Sequence, residues 1–480
     1  MRTTTHLING KSIDGNSGRT LEVWNPATGE QVGTTVFATV EEVDEAVAAA
    51  RGATRAWAKM PQSERVQIMF AIRDTLIQHT DELARLITEE NGKTLDDARG
   101  EIRRGLESVE FACGIPHLIK GEHSSTAASG IDVHSIRQPV GVVACITPFN
   151  FPVMVPLWML ANALACGNAV VLKPSEKAPT STLRMAELLI EAGLPAGVLN
   201  LVNGDKVAVD RLLGHREVNA VSFIGSTPVA RYVYETGTGY GKRVQALGGA
   251  KNHMIVMPDA DMDFAAESAV AAGFGAAGER CMAVSVLVAV GSAGDEVVPR
   301  IASLIEKLKV GPGLDEGVEM GPLITREHRD KVASYIETCV AEGAELVADG
   351  RDAEISRGPG FFLKPTVIDR VTPKMSVYQN EIFGPVLSVV RVDTYEAALR
   401  LVNENAYGNG TSIFTRDGGI ARDFQTDCEI GMVGVNVPIP TPVGWFSFGG
   451  WKSSLFGDVH MYGPDGTRFF TRQKVITTRW

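Results

Sequence analysis

The sequence is poor in cysteine and lacks any apolar run long enough for an export signal or a membrane span. Its six cysteines are scattered over 480 residues without C-x-x-C spacing, which argues against a disulfide scaffold and against a zinc site. Residues 1–10 hold no apolar segment of signal length, and the most apolar later run, residues 151–166, is interrupted by prolines. We therefore expect a cytoplasmic chain with reduced thiols and no bound metal.

Positive charge is also scarce. The chain has 46 Lys and Arg residues against 57 Asp and Glu residues, a formal net charge of -11. Nucleic acids and anionic membranes are bound by concentrated basic surfaces, so this balance argues against both as partners. The composition is otherwise that of a soluble globular protein, and the length predicts two or three domains.

The order of the apolar runs indicates an α/β protein. Residues 140–245 alternate wholly apolar runs with helical patterns, which is typical of a parallel sheet covered on both faces, as in dinucleotide-binding domains. A second α/β stretch follows residue 255, and residues 40–117 predict amphipathic helices. Residues 118–137 predict an exposed ribbon, and residues 469–480 a terminal strand that we expect to pair with the ribbon of a neighbouring subunit.

One cysteine stands in a setting that suits a nucleophile. Cys281 lies in Gly278-Glu-Arg-Cys-Met282, after a run of small residues that leaves room for a ligand. A free cysteine is more often an inert core thiol, so this pattern alone does not assign a role. The same run, residues 273–278, matches G-x-G-x-x-G, but it follows an Ala-rich helical segment instead of a strand, so we interpret it as space around Cys281.

Two strand ends predict a cofactor site. Residues 221–227 run from a buried strand into a Gly-Ser turn and a helix whose first amides suit a pyrophosphate. In Val170-Val-Leu-Lys173-Pro-Ser-Glu176, the lysine and the carboxylate can hydrogen-bond ribose hydroxyls, and Glu176 would repel a 2'-phosphate, which favours NAD over NADP. The alternative for Lys173 and Glu176 is a surface ion pair.

Five ordered motifs carry a family resemblance. They are Thr147-Pro-Phe-Asn150-Phe-Pro152, Lys173-Pro-Ser-Glu176, Phe223-Ile-Gly-Ser226, Gly278-Glu-Arg-Cys281 and Glu381-Ile-Phe383-Gly-Pro385. With them the chain resembles the aldehyde dehydrogenase superfamily over nearly its full length. The resemblance implies two doubly wound α/β domains with parallel sheets and a small β ribbon for oligomerisation. The expected division is an NAD-binding domain at 1–118 and 138–247 with 450–462 returning to it, a catalytic domain at 248–449, and an oligomerisation unit at 119–137 and 463–480.

Within the superfamily the chain is most similar to the CoA-acylating methylmalonate-semialdehyde dehydrogenases. The segments that carry this similarity are Ala250-Lys-Asn-His253, Glu279-Arg-Cys-Met-Ala283, Arg104-Gly-Leu-Glu-Ser-Val-Glu-Phe111 and Gly450-Trp-Lys-Ser-Ser454. The similarity implies NAD as cofactor, coenzyme A as acyl acceptor, a small semialdehyde acid as substrate and a homotetramer built as a dimer of dimers.

The resemblance also implies roles for individual residues. Cys281 attacks the aldehyde, and the Asn150 amide and the Cys281 backbone N–H stabilise the alkoxide that forms. Arg104 and Arg280 receive the substrate carboxylate, and we expect Arg280 to lower the pKa of the Cys281 thiol as well. The expected cofactor contacts are Thr147, Phe149, Lys173, Glu176, Lys177, Gly225, Ser226, Gly248, Glu381, which holds the nicotinamide ribose, and Phe383, which packs beside it.

One departure from the superfamily bears on the acyl acceptor. Hydrolytic members have a glutamate at the first position of Ala246-Leu-Gly-Gly249, where it activates the water that releases the acid. Ala246 takes no proton, and losing such a base costs about 100- to 10,000-fold. A CoA thiol ionises more readily than water, so we expect an acyl-CoA product. In the similar group the β-carboxylate leaves as CO2, so methylmalonate semialdehyde would give propionyl-CoA and malonate semialdehyde acetyl-CoA.

Three alternatives remain open at this point. A hydrolytic NAD-dependent dehydrogenase could use another carboxylate as base, act on another semialdehyde acid and release the free acid. A non-catalytic binding protein with the same fold is opposed by the intact Cys281, Asn150 and Glu381. A cysteine hydrolase would need a histidine base, for which His253 is the nearby candidate, although a structural hydrogen bond suits it better. The methyl group that separates the two semialdehydes is worth only about 1 to 3 kcal/mol and leaves no sequence signal.

Overall fold

A computed structural model describes residues 1–480. It contains two large β-sheets, the larger of which has eight strands. In spatial order these are Leu455–Phe456, Arg243–Leu247, Val218–Ile224, Val142–Ile146, Ala169–Lys173, Leu199–Leu201, His6–Ile8 and Lys11–Ile13. The five central strands from Arg243–Leu247 to Leu199–Leu201 are parallel, and the outer strands join antiparallel. Alternate residues of the central strands belong to two separate apolar clusters, as in a sheet covered on both faces.

The second large sheet has seven strands. In spatial order these are Glu345–Ala348, Thr366–Asp369, Val386–Val392, Val284–Val290, Asn252–Val256, Gly410–Phe414 and Met432–Val435. All neighbours are parallel except the antiparallel edge strand Glu345–Ala348. The two parallel sheets confirm the predicted fold. Wholly apolar runs such as residues 286–290 are buried along their length, as expected for strands that are covered on both faces.

Three small sheets complete the β structure. The strands Arg2–Thr4, Glu30–Val36 and Thr20–Asn25 form one, Tyr407–Gly408 pairs with Trp451–Lys452, and the ribbon consists of His123–Ala128, Ile131–Pro139 and Thr471–Arg479. The terminal strand Thr471–Arg479 pairs along its whole length with Ile131–Pro139 of its own chain. All nine register partners lie within the chain, and the strand is the edge of this three-stranded sheet, so pairing of its second edge with a neighbouring subunit stays a prediction.

Fifteen α-helices cover the sheets. They are Val40–Lys59, Gln62–Gln78, Thr80–Asn91, Leu95–Cys113, Met154–Ala165, Thr180–Glu191, Lys206–Gly214, Thr227–Gly239, Met262–Phe274, Ala293–Lys307, Arg326–Ala341, Ser376–Gln379, Tyr395–Glu404, Gly418–Asp427 and Gly463–Phe469. Many begin at a side chain that caps a free amide, as Thr39 and Thr94 do. None of them combines the length and the apolar character that a bilayer crossing requires.

The strand order places the predicted site. In the eight-stranded sheet the order reverses between Val142–Ile146 and Val218–Ile224, and ligands of such sheets bind outside the carboxyl ends at that reversal. The loops that follow these two strands carry Asn150 and the Gly225-Ser226 turn. Cys281 lies just before the amino end of Val284–Val290 in the other sheet. The division into domains stays a prediction, although Leu455–Phe456 does extend the first sheet as expected.

Candidate active site

Cys281 is presented by an unusual turn. The helix Met262–Phe274 ends in a turn over Gly275–Gly278 in which Ala276, Ala277 and Gly278 all have positive φ. A Cβ on Gly278 would lie 2.3 Å from the Gly384 carbonyl oxygen, so only glycine fits there. The last glycine of the G-x-G-x-x-G match, Gly278, therefore allows a close contact between two backbone segments beside the cysteine.

The backbone at Cys281 is held from the second sheet. The side-chain amides of Asn252 and Asn409 both donate to the Cys281 carbonyl oxygen, at 2.9 and 3.1 Å. The other five cysteines are buried, whereas Cys281 is partly exposed. Cys281 is thus the only cysteine that is partly exposed, and the position of its backbone does not depend on contacts of the thiol.

The thiol is not activated in the way we expected. Burial raises the pKa of the Cys281 thiol to about 12, and the neighbouring Glu381 carboxylate acts in the same direction. Backbone N–H groups of Cys281 and Met282 and the charge of Arg280 oppose this rise but do not overcome it. Arg280 does lower the pKa of the thiol as expected, but desolvation of the thiolate outweighs the attraction of the guanidinium, so the pKa of Cys281 is raised overall.

This pKa predicts how Cys281 reacts with iodoacetamide in the absence of ligands. Only the thiolate is nucleophilic, so a pKa of about 12 means a rate constant that rises about tenfold per pH unit from pH 7 to 9. The measurement is the alkylation rate by mass spectrometry, with Cys281→Ala as the unlabelled control. A rate that levels off below pH 8 would contradict the raised pKa.

Asn150 lies against the cysteine loop. Its side-chain Nδ2 donates to the Glu279 carbonyl oxygen at 3.1 Å, two residues before Cys281. A carboxamide nitrogen has two N–H groups, so this bond orients the amide and leaves one donor for a ligand. Asn150 and Cys281 line the same cavity, which is the arrangement an oxyanion site requires.

That cavity has a volume of about 220 Å³ and contains most of the predicted cofactor residues. Phe149, Gly225, Ser226, Gly248, Glu381 and Phe383 line it together with Asn150 and Cys281. The predicted contacts Thr147, Lys173, Glu176 and Lys177 lie outside this lining, although Lys177 Nζ stands 5.3 Å from the centre of the Phe149 ring.

Of the predicted contacts outside the lining, Lys173 and Glu176 bind each other and Thr147 is buried. Lys173 donates to Glu176 at 2.8 Å, so the two form an ion pair, although not the surface pair of the alternative, because Lys173 is buried and Glu176 is only partly exposed. Burial alone would raise the pKa of Glu176, but the Lys173 charge and hydrogen bond outweigh it and hold the pKa below its usual value. The hydroxyl of Thr147 is buried without a hydrogen-bond partner.

These features fit a dinucleotide. An unpartnered buried hydroxyl at Thr147, an ionised carboxylate at Glu176 and a helix N-terminus at Ser226 without a side-chain cap follow the carboxyl ends of three neighbouring strands. Two of these strands flank the strand-order reversal, where the amides of a helix N-terminus bind phosphate. The residues present therefore fit NAD.

Glu381 lines the cofactor cavity together with Cys281. Its Oε1 accepts the Ala250 N–H at 2.9 Å, and a Cβ on Gly249 would lie 2.2 Å from Oε2. Burial raises the pKa of Glu381 to about 7 despite the Ala250 bond and the nearby Lys251. Two residues on, Phe383 has φ +57° and meets the Phe149 ring edge-on at 6.0 Å between centroids. Both predicted residues thus face the cavity.

A second cavity, of about 270 Å³, reaches Cys281 from the other side. Its apolar wall is formed by Phe151, Met154, Trp158, Met282 and Ile439, and its polar wall includes Arg104 and Arg280 together with the acidic side chains of Asp96, Asp97 and Glu101. The structure thus brings both predicted arginines to one cavity beside the nucleophile. A small acid with an apolar carbon skeleton matches this lining.

Neither arginine is free. Arg104 donates to Glu107 at 2.9 Å and to the Thr441 carbonyl oxygen at 3.0 Å, while Arg280 donates to Asp97. The sequence reasoning missed Asp97 and Glu107, which look like ordinary solvent-facing acids of the amphipathic helix Leu95–Cys113. A substrate carboxylate must share or displace these partners.

Ala246 does not face Cys281. Successive residues of a strand point to opposite faces, and Ala246 belongs to the cluster on the far face of the eight-stranded sheet. Leu247 belongs to the cluster that packs against Cys281 and lies beside Ile224, which lines the cofactor cavity. The prediction that Ala246 occupies the position of a base is therefore wrong by one residue. Leu247 is equally unable to take a proton.

His253 is no base for Cys281. It lies in the buried strand Asn252–Val256, and its Nε2 pairs with the Tyr378 hydroxyl at 3.0 Å. Burial and the Lys251 charge lower the pKa of His253 to about 3, so it stays neutral. Its role is the structural hydrogen bond that suited it better from the sequence.

Comparison with known proteins relates this geometry to a family. A malonate-semialdehyde dehydrogenase of Pseudomonas aeruginosa is 54% identical over 482 residues, covering 100% of this chain and 97% of that protein. The crystal structure of a methylmalonate-semialdehyde dehydrogenase from Oceanimonas doudoroffii superposes with a TM-score of 0.98 at 55% identity, covering 100% of this chain and 99% of that one.

A second crystal structure is similarly close. It is of a Sinorhizobium meliloti protein assigned as a methylmalonate-semialdehyde dehydrogenase and complexed with NAD, with a TM-score of 0.98 at 52% identity, covering 100% of this chain and 98% of that one. The sequence model of the aldehyde dehydrogenase family matches residues 13–476. The resemblance seen in the five motifs is confirmed: the chain belongs to the aldehyde dehydrogenase family.

Proposed function

We propose that the chain oxidises malonate semialdehyde and methylmalonate semialdehyde with NAD and transfers the acyl group to coenzyme A, releasing CO2. The observation that carries the proposal is that Cys281 lines two cavities at once, one with the cofactor residues and one with Arg104 and Arg280. An aldehyde carbon at the thiol would then have its carboxylate near the guanidinium groups. The names of the similar proteins support the same substrate class.

The chemistry begins at Cys281. The thiol first gives its proton to solvent, and as the thiolate sulfur bonds to the aldehyde carbon, the carbonyl oxygen becomes an alkoxide, which the free Asn150 N–H and the Cys281 backbone N–H stabilise. When bound, NAD accepts the hydride released as this intermediate collapses to a thioester on Cys281. Glu381 and Phe383, at the cavity wall, would hold the ribose end that carries the reacting ring.

The thioester then determines the product. Its carbonyl can take the electron pair left behind when the β-carboxylate departs as CO2, and the resulting carbanion is protonated to an acetyl or propionyl group. Leu247 is apolar, so no base on that strand activates water, and the CoA thiol is the better acceptor. Attack by this thiol gives acetyl-CoA or propionyl-CoA and restores Cys281.

The test is NADH formation from each semialdehyde with and without CoA. Without CoA we expect about one NADH per active site followed by slow turnover, because the thioester stays on Cys281. With CoA we expect continuous turnover and acetyl-CoA or propionyl-CoA by mass spectrometry. Turnover that is equally fast without CoA and yields a free acid would favour the hydrolytic alternative.

Replacing Arg104 tests the carboxylate site. In Arg104→Leu we expect the KM for malonate semialdehyde to rise about 10- to 100-fold, the range expected for a lost charge-assisted hydrogen bond. The KM for propanal, which has no carboxylate, should change less than about threefold. Arg104 also holds the Thr441 carbonyl, and loss of that contact would affect both substrates.

Arg103 provides the matched control for this experiment. It lies on the same helix but is exposed, so Arg103→Leu removes one positive charge outside the cavity. We expect its KM values for both substrates to match those of the wild type. Equal increases for the acid and for propanal in Arg104→Leu would contradict the carboxylate role.

We also propose the expected division into cofactor, catalytic and oligomerisation units and the homotetramer. The ribbon supports the latter, because its edge strand His123–Ala128 is exposed throughout. Val475 on the terminal strand and Trp480 directly after it are 63% and 84% exposed. Light scattering of the purified chain should give four times the monomer mass of 51.4 kDa. A monomer mass would contradict the proposal.

A further inference from the structure

A buried ion pair lies behind the loop that carries Asn150. Lys93 Nζ and Glu101 Oε2 are 2.7 Å apart, and the two side chains are 1% and 0% exposed. Lys93 precedes the helix Leu95–Cys113 and Glu101 is part of it. Burying two charges is unfavourable unless both are well paired, so a pair of this kind calls for a reason.

The pair holds the Asn150 loop at both ends. Lys93 Nζ also donates to the backbone carbonyl of Asn150, and it lies 4.3 Å from the centre of the Phe151 ring. Glu101 Oε1 accepts the N–H groups of Val153 and Met154, at 2.8 and 3.1 Å. These groups bracket residues 150–154, the turn from the first sheet into the helix Met154–Ala165.

The contacts are with backbone atoms of the loop, so they set the direction in which the Asn150 side chain leaves it. The carbonyl held by Lys93 belongs to Asn150 itself, and the side-chain amide of the same residue reaches the Glu279 carbonyl beside Cys281. A displacement of about 1 Å of a group that acts in the transition state can cost about 100-fold in rate. No other charged side chain contacts the backbone of residues 150–154.

We propose that Lys93 and Glu101 are positioning residues that hold the Asn150 amide in place for the alkoxide. The inference rests on the proposed function, in which Asn150 stabilises that alkoxide. Glu101 also lines the second cavity, so an effect on a substrate carboxylate there has to be separated from positioning by assaying propanal beside malonate semialdehyde. Their effect on the rate passes through Asn150 and therefore disappears when the Asn150 amide is absent.

The experiment is a double-mutant cycle read on the first NADH formed per site from malonate semialdehyde and from propanal, without CoA. Glu101→Gln keeps an oxygen for the two amides but removes the charge that holds Lys93. We expect it to slow NADH formation about 10- to 100-fold for both aldehydes. In the Asn150→Ala background the same substitution should change the remaining rate less than about threefold, as expected for residues that act as one unit.

Stability is separated from positioning by replacing both charges. Lys93→Met alone leaves a buried carboxylate unpaired, and we expect a lower melting temperature. The double variant Lys93→Met with Glu101→Leu should recover most of the loss in melting temperature, because apolar replacements of a buried pair are often tolerated. Its NADH formation should stay as slow as that of Glu101→Gln, and its Cys281 alkylation rate should remain within about twofold of the wild type.

The outcomes distinguish the two proposals. A wild-type chain that forms no NADH from either aldehyde would refute the proposed function. An active wild type in which Glu101→Gln slows the Asn150→Ala variant as much as the parent would refute only the positioning role. A double apolar variant that recovers both the melting temperature and the rate would also refute it, since the pair would then be structural alone.

Discussion

Replacing Cys281 with alanine should reduce NADH formation from either semialdehyde by at least about 10⁴-fold, a loss typical of removing a covalent nucleophile. Alanine forms no bond to the aldehyde carbon, so neither the alkoxide nor the thioester arises. The backbone of the loop should not move, because Asn252 and Asn409 hold the carbonyl of residue 281 and not its side chain. The melting temperature and NAD affinity should therefore match those of the parent.

Cys113→Ala is the control for thiol loss. Cys113 ends the helix Leu95–Cys113 and is buried away from both cavities, so this variant should keep nearly full activity. NADH formation is followed at 340 nm over hours to detect a residual rate. Retention of more than about 1% of the wild-type rate by Cys281→Ala would contradict the nucleophile assignment, because a covalent route allows no such bypass.

The sheets were predictable because their pattern is local. A strand that is buried on both faces is apolar at every position, so runs such as Val142–Ile146 are recognisable without knowledge of their neighbours. The partner of a strand is not local information. The terminal strand Thr471–Arg479 is mostly exposed and polar, and nothing in such a pattern tells whether it pairs within its own chain or with another.

The site was predictable where chemistry depends on short motifs. Asn150, Glu381 and Cys281 belong to separate motifs, and the fold brings them to one cavity. The residues that orient these groups could not be found in the same way. Asp97, for example, contacts Arg280 from 183 positions away, and the amphipathic pattern of its helix does not tell which acids turn inward.

The error at Ala246 has a related cause. Side chains alternate between the two faces of a strand, so an assignment shifted by one residue moves the predicted base to the opposite core. The chemical conclusion was unaffected only because Ala246 and Leu247 are both apolar and buried, at 0% and 2% exposure. A glutamate at position 246 would enter the cluster on the far face of the sheet, whereas one at position 247 would enter the cluster that packs against Cys281. Comparing the two variants therefore tests which position corresponds to the base.

Leu247→Glu should convert the chain towards hydrolysis, raising CoA-independent turnover of the acyl-enzyme by about 100-fold or more, the usual contribution of a general base. The new carboxylate would stand in the cluster that packs against Cys281, next to Ile224 at the cofactor cavity. Burial would raise its pKa towards neutrality, where a base is most effective. The measurement is steady-state NADH formation without CoA, with the free acid identified.

Leu247→Gln is the matched control, since it has nearly the shape of glutamate but accepts no proton at neutral pH. We expect it to show the single NADH per site of the parent and the same dependence on CoA. Ala246→Glu should place its carboxylate in the cluster on the far face, so it should lower the melting temperature without adding hydrolysis. Hydrolysis gained by Ala246→Glu and not by Leu247→Glu would restore the original register. Equal gains in Leu247→Glu and Leu247→Gln would mean that water entry, and not proton transfer, limits release of the acyl group.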